Sequence, residues 1–378
     1  MAQIEIRNLH KAFKTDAVLK GLSLSVDKGE IVTLFGPSGT GKTVLLRLLA
    51  GIYPPDAGSI GLRGRDAAGS PPDKRGIGMA FQNFALFPHM TARDNIASAL
   101  TARKMDGAEI DRKVDAVAQL LKIRHVLGHS PRELSNGQKQ RTALARALVA
   151  DPDILLLDDP LRNVDAKLRY EMRLELPALL KRAGSTVVYV TQDFKEAMAL
   201  GDRVAVLLDG QIAQCDTPAR IYAEPVNVGV ARLFGDPTLN LIEVAPQLVD
   251  GAVEIRLGGT TLNLSAGYAA ATGGNYLLGL RPEALRMVDG PAPGAIAVEL
   301  VAVTPLNEKS VLLFTTPGGE ELLASEPGDR DEPRRTGPAH VALDLDAVLL
   351  FERESGRRFI PAENGEVAHE RIAITSRR

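Results

Sequence analysis

Residues 36–43 constrain this chain more than any other stretch: GPSGTGKT has the form G-x-x-x-x-G-K-[ST] and joins a strand-like apolar run at 31–35 to a helix-like apolar run at 44–50. A strand that feeds a glycine-rich turn and then a helix is a cradle for phosphate. Glycines let the backbone approach without a Cβ, and successive N–H groups converge with the positive end of the helix. Lys42 adds a point charge, and the Thr43 hydroxyl suits a Mg2+ ion beside the phosphates. The candidate lining is Gly36, Pro37, Ser38, Gly39, Thr40, Gly41, Lys42, Thr43 and Val44. Four fixed positions arise by chance in a chain this long on the order of one per cent of the time, so an ordinary strand-to-helix turn is the weaker reading.

A second acidic element belongs with this loop. The apolar run 154–157, ILLL, ends in Asp158 and Asp159, which puts one carboxylate near a metal's water shell and the other near a γ-phosphate. Around it, strand patterns at 4–9, 22–26, 31–35, 154–157, 186–190 and 203–208 alternate with helix patterns at 166–181 and 194–200. Such alternation predicts an α/β fold, a P-loop nucleotide-binding core on a parallel sheet with covered faces. The N-terminal strand, alternating apolar and polar residues, reads as an edge strand. Between 87 and 150 the spacing turns helical (92–103, 109–121, 137–149), predicting an α-helical insertion.

The 378 residues leave room for more than one core. The FGDPT segment at 234–238 marks a boundary, giving a first domain at 1–235 and a second at 236–378. Strand-like stretches at 252–257, 276–280, 296–303, 311–315 and 341–351 make the second domain all-β, a small barrel or sandwich. The charged segment 328–338 and the tail ending in Arg377 and Arg378 read as solvated, and Arg281 as the cation of a structural salt bridge.

Charge and cysteine content narrow the function. Forty-five Lys and Arg against 47 Asp and Glu leave a net charge of −2, which argues against a nucleic-acid partner. A single cysteine, Cys215, forms no disulfide within the chain and fits a reducing compartment. No apolar run approaches the roughly 18 residues of a membrane helix, so a membrane role has to come through partners. His10, His89, His125, His129, His340 and His369 show no ligand-like spacing, so no metal beyond Mg2+ is expected.

At 134–141, LSNGQKQR closely resembles the LSGGQ signature, followed by Q-R, of ATP-binding cassette (ABC) proteins. The chain therefore resembles an ABC transporter ATPase subunit over about residues 3–235. The resemblance implies that Phe13 stacks on adenine and that Gln82, in AFQNFALFPHMT, is the glutamine loop, joining Thr43 and Asp158 around the metal. It also makes Asp165 the loop after the second acidic element and Gln192, in VTQDFKEAM, the switch residue. The stretches PTLNLIEV and LGLRPEAL resemble the OB/TOBE-like domain attached to ATPases of maltose-type importers.

The implied assembly is a head-to-tail dimer, homomeric or with a second ABC ATPase. Each ATP lies between the phosphate loop of one subunit and Ser135, Gly137 and Gln138 of the other. ATP and Mg2+ are the implied cofactors. Transmembrane permease subunits would dock in the groove between core and helical insertion near Gln82, on the cytoplasmic face of the membrane. A periplasmic or extracellular binding protein would act indirectly. The implied function is to couple ATP hydrolysis to uptake of a small solute, a sugar or polyol. A non-hydrolysing ATP-binding scaffold subunit is the alternative.

Four positions depart from the family pattern. The catalytic glutamate is Asp159, whose carboxylate is set back by about 1.5 Å unless the backbone moves; misplacement by about 1 Å can cost on the order of a hundredfold. The switch histidine is Gln192, which can donate to a phosphate but cannot become cationic. Val44 lacks the hydroxyl expected after Thr43. Asn136 stands for the first signature glycine; it tolerates a left-handed backbone but brings a side chain close to the phosphate. Val44, Asp159 and Gln192 serve this chain's own site and Asn136 the partner's, an asymmetry that points to pairing with a different ATPase. A slower homodimer is the plainer alternative.

Overall fold

The structure, a computed structural model, describes residues 2–362 apart from 163, 293, 307 and 329–334. Most of the charged segment 328–338 and all of the tail with Arg377 and Arg378 lie outside the described residues. Two compact units divide the chain, 1–224 and 225–378. The division precedes the break expected after 235, because helix Val228–Leu233 is tied to the second unit. Arg281 donates to the carbonyls of Ala231 and Phe234, Val228 N–H donates to Gly356 O at 2.9 Å, and Ala231 packs with Leu239, Leu349 and Phe351.

In the first unit, a long hairpin of β1 (Ala2–Phe13) and β2 (Asp16–Asp27) precedes β3 (Ile31–Phe35) and α1 (Lys42–Leu49). Then come β4 (Ala57–Leu62), β5 (Arg65–Asp66) and β6 (Ile77–Ala80), followed by helices α2 (Ala92–Ala102), α3 (Gly107–Leu120) and α4 (Asn136–Leu148). Strands β7 (Ile154–Asp158), β8 (Thr186–Thr191), β9 (Arg203–Leu208) and β10 (Gln211–Asp216) complete it with helices α5 (Ala166–Ala183), α6 (Phe194–Leu200) and α7 (Pro218–Ala223).

A six-stranded sheet runs β10-β9-β3-β8-β7-β6, parallel except for β10, which returns antiparallel to β9. Every residue of β3, β7 and β8 is buried, as strands covered on both faces require. The other sheet is antiparallel, in the order β2-β1-β4-β5. β1 is therefore an interior strand, contrary to the edge expectation: Ile4 pairs with Val26 on one side and Leu62 on the other. Alternation reports one buried face, which an antiparallel strand shows at an edge or inside alike. The expected helical insertion is present, its three helices packing Ile96, Leu100, Val114, Val117, Leu144 and Leu148 into one cluster.

Register builds the site. Phe35 pairs with Thr191 and Asp158 with Val190, so β3, β8 and β7 end together and release Gly36, Gln192 and Asp159 side by side. Ala80 pairs with Leu157, which brings the loop carrying Gln82 to the same edge. Ligands of open α/β sheets sit outside these carboxyl ends.

The second unit is strand-rich, with sheets of four, three and five strands around Leu278, Leu280, Ile296, Leu312, Phe314 and Val341. The expected strand 341–351 is two strands, Gly337–Leu343 and Leu349–Glu352, in different sheets. The polar turn between them, where Ala347 N–H donates to Asp344 O, breaks the apolar run.

Candidate nucleotide-binding site

The phosphate loop is shaped by close packing. A Cβ on Gly36 would come within 2.4 Å of Leu207 O, and Gly39 and Gly41 have φ of 83° and 102°, where a side chain is strained. Thr40 Oγ1 donates to Pro37 O at 3.0 Å and closes the turn. The buried Lys42 ammonium donates to Gly36 O at 2.7 Å and Pro37 O at 2.6 Å. An ammonium has three donors, so two fix it on its own loop and the third is left for a phosphate. Its pKa is lowered, chiefly by burial.

Thr43 Oγ1 donates to Asp158 Oδ1 at 2.9 Å, joining the helix start to the end of β7 across the site. Burial raises the Asp158 pKa, with Thr43 opposing. Asp159 has a left-handed backbone, φ 45°, and its Oδ2 is buried with no hydrogen-bond partner among the described residues. Burial pushes its pKa up to about 6. A buried carboxylate oxygen that none of the described residues satisfies is suited to a water or a ligand. Ser38 Oγ donates to Gln192 Oε1 at 2.6 Å, so the Gln192 side chain is held against the phosphate loop by its oxygen while its amide donors remain unengaged among the described residues.

Phe13 is at the end of β1, 40% exposed, with Tyr53 edge-on at 5.4 Å between ring centroids and Lys11 Nζ 5.4 Å from its ring. Its exposed surface is what a base could stack on. Val44 is half-buried and packs against the core cluster of Leu45, Leu46 and Leu49, so its side chain is occupied by packing. Gln82 is on the loop two residues past β6.

Ser135, Gly137 and Gln138 open α4. Ser135 caps the helix, and Gln138 returns the bond: Ser135 N–H donates to Gln138 Oε1 at 2.9 Å and Gln138 N–H to Ser135 Oγ at 3.3 Å. Gly137 leaves room for Leu168, whose Cδ2 would have to turn aside from a Cβ at 2.2 Å. Asn136 is simply the first helical residue and has no left-handed backbone. Asp165 caps α5, accepting from Leu168 N–H at 3.0 Å.

Sequence reasoning missed two arginines. Arg162 Nη1 is 3.7 Å from Asp159 Oδ2, an i,i+3 pair that the spacing alone could have suggested. Arg146 of α4 donates to Ala85 O at 2.7 Å and Phe84 O at 3.0 Å, and lies over the Phe87 ring. It holds the loop beyond Gln82 where Phe84 and Ala85 have φ of 62° and 48°; no sequence signal marks that contact.

The family model described as ABC transporter matches residues 19–162. Over 359 residues the chain is 38% identical to the sn-glycerol-3-phosphate import ATP-binding protein UgpC of Ruegeria pomeroyi, covering 95% of this chain and 99% of that one. The chain belongs to the ATP-binding subunits of ABC transporters. This ABC subunit is also 37% identical to the diacetylchitobiose uptake system ATP-binding protein MsiK of Streptomyces coelicolor, over 91% of its own length and 95% of the relative's. Among solved structures it resembles a dimeric ATP-binding cassette in a post-hydrolysis state bound to ADP and Pi (TM-score 0.52, 30% identity, 57% of this chain, 98% of that one). It is an ABC-type ATPase by family, with an α/β cassette and a strand-rich second unit. No described helix is long and apolar enough to cross a membrane.

Proposed function

We propose that this ABC subunit hydrolyses Mg-ATP at its own phosphate loop and couples the reaction to import of a small polar solute of the sugar, polyol or polyol-phosphate class. The carrying observation is end-to-end similarity, second unit included, to ATP-binding subunits of sn-glycerol-3-phosphate and diacetylchitobiose importers. The chain would work peripherally, at the cytoplasmic face, docked on separate permease subunits through the groove lined by Met79, Phe81, Phe87, Arg103 and Arg146. The domain boundary near 225–235 would separate the ATPase from a TOBE-type unit.

The residues present fit the substrate and its ion. Thr43 and Asp158 offer hard oxygen donors, with Gln82 on the adjacent loop, and Mg2+ held there would neutralise charge between the β- and γ-phosphates. Lys42 and the loop N–H groups would hold those phosphates, and Phe13 the adenine. Asp159 would take a proton from the attacking water, whose oxygen bonds to the γ-phosphorus as the bond to the bridging oxygen breaks and its electron pair leaves on ADP. Gln192 would donate to the γ-phosphate through its amide. In the dimer, the α4 N-terminus with Ser135, Gly137 and Gln138 would face the partner's nucleotide.

A second reading is favoured by Asp159 and Gln192: the chain binds ATP without turning it over and lends its signature to a different, active ATPase. The deciding experiment is Mg-ATP turnover by the chain assembled with its permeases, beside the double reversion Asp159→Glu with Gln192→His. Turnover by the native chain upholds hydrolysis; binding without turnover, restored by the reversion, establishes the second reading. Growth of a strain lacking the chain on sugars, polyols and polyol phosphates then identifies the solute.

A further inference from the structure

One charged side chain at the site belongs to neither the phosphate loop, the strand-end aspartates nor the switch segment. Arg162 leaves β7 in the same turn as Asp159, its N–H donating to the Asp159 carbonyl at 3.3 Å. Its guanidinium approaches Asp159 Oδ2 to 3.7 Å, the oxygen with no hydrogen bond among the described residues. The arginine side chain is 50% exposed and the carboxylate 9%, so the cation stands at the mouth of the site with the carboxylate behind it. No other described carboxylate comes within ion-pair distance of Arg162. Lys42 feels the same charge: its pKa is lowered by burial first, the two aspartates oppose that shift, and Arg162 adds to it. Two cations, one on the phosphate loop and one on the turn after β7, therefore address one space.

We propose that Arg162 is a further catalytic residue, a guanidinium that rests against Asp159 and turns to the γ-phosphate during hydrolysis, supplying the positive charge that neutral Gln192 cannot. The inference deepens the hydrolytic reading and rests on it. Phosphoryl transfer spreads negative charge over the equatorial oxygens, and an arginine reaching them is worth factors of about a thousand or more in other phosphoryl-transfer enzymes. A planar fork of donors matches that geometry. The resting contact is longer than a hydrogen bond and its guanidinium is half-exposed, so the arginine is free to exchange it for a phosphate. Arg162 exchanges no proton; the water's proton still goes to Asp159 and the electron pair still leaves on ADP.

The test uses the assembled transporter carrying native chain, Arg162→Ala or Arg162→Lys. Photolabelling with 8-azido-ATP, with and without vanadate, is read on this chain's own band beside steady-state turnover. Arg162→Ala should bind ATP within about threefold of native yet lose vanadate trapping and turnover by tenfold or more, with Arg162→Lys recovering part of both. Undiminished turnover overturns the proposal, and increased turnover shows that the arginine restrains Asp159 instead. Parallel loss of binding and turnover, with lowered thermal stability, overturns it in favour of a structural role. A native chain that binds ATP but neither traps nor hydrolyses it defeats the hydrolytic reading and the inference together, whereas native turnover unaffected by Arg162→Ala defeats the inference alone.

Discussion

The Thr43 hydroxyl donates to a carboxylate oxygen of Asp158 at 2.9 Å, across 115 residues of chain. This bond aligns the first turn of α1 with the end of β7, the two places that would share the metal. A hydrogen bond to a charged group contributes about 1.5–3 kcal/mol. Thr43→Ala also removes one oxygen that would ligate the ion, so it should weaken Mg-ATP binding by roughly tenfold or more and leave Mg-free binding much less affected. Nucleotide titrations with and without Mg2+ check this; equal weakening in both would remove Thr43 from the metal site.

Asp159→Asn separates binding from chemistry. The amide keeps the size and suits the left-handed backbone at φ 45°, which Asn and Asp tolerate better than other side chains. Turnover should fall on the order of a hundredfold or more while ATP affinity stays near native. Full turnover by this variant would show that another group accepts the proton.

Two glycines of the phosphate loop should respond differently to alanine. Gly36→Ala drives a Cβ to 2.4 Å from the Leu207 carbonyl, a backbone atom that cannot rotate away, so the loop must shift and nucleotide binding should be lost. Gly39→Ala meets no atom within 4 Å and pays only for φ 83°, about 1–2 kcal/mol. Melting curves and nucleotide titrations of the two variants distinguish steric from conformational cost.

Glu196 makes stability depend on pH. It is buried, accepts from Tyr189 and Thr191 hydroxyls at 2.9 Å each, and burial pushes its pKa up to about 7 from 4.5. A carboxyl with a raised folded pKa binds its proton more tightly in the fold than in the unfolded chain. Its stabilising contribution is therefore full below about pH 4.5 and lost as pH rises through about 7, on the order of 3 kcal/mol in all. Glu196→Gln should flatten that limb of the denaturation profile between pH 4.5 and 7; an unchanged slope would rule Glu196 out as its source.

Local chemistry was legible from residue order. The phosphate loop and the strand ending in Asp158 each announce themselves within about eight neighbouring residues, because turn and strand are built from adjacent groups. Pairings between distant segments were not. β1 alternates as an edge strand would, yet β2 and β4 flank it, and the short strands β4, β5, β6 and β10 carry too few apolar residues to show a period. The Ser38–Gln192 bond spans 154 residues, and only folding brings its partners together. Arg162 was legible in principle, three residues from Asp159, but a turn arginine is ordinarily solvated until a buried carboxylate is seen beside it.

The grip of Arg146 on the carbonyls of Phe84 and Ala85 gives α4 an occupation at each end. One end presents the Ser135 cap, the other carries the loop beyond Gln82, and 13 residues of helix span about 20 Å between them. That loop is held by its own turn bonds, Phe84 N–H to Phe81 O at 3.0 Å and Ala85 N–H to Asn83 O at 2.7 Å, and by the arginine of the helix behind it. A tilt of that helix at its cap would therefore pull on the Phe84 and Ala85 carbonyls through two hydrogen bonds from a single side chain.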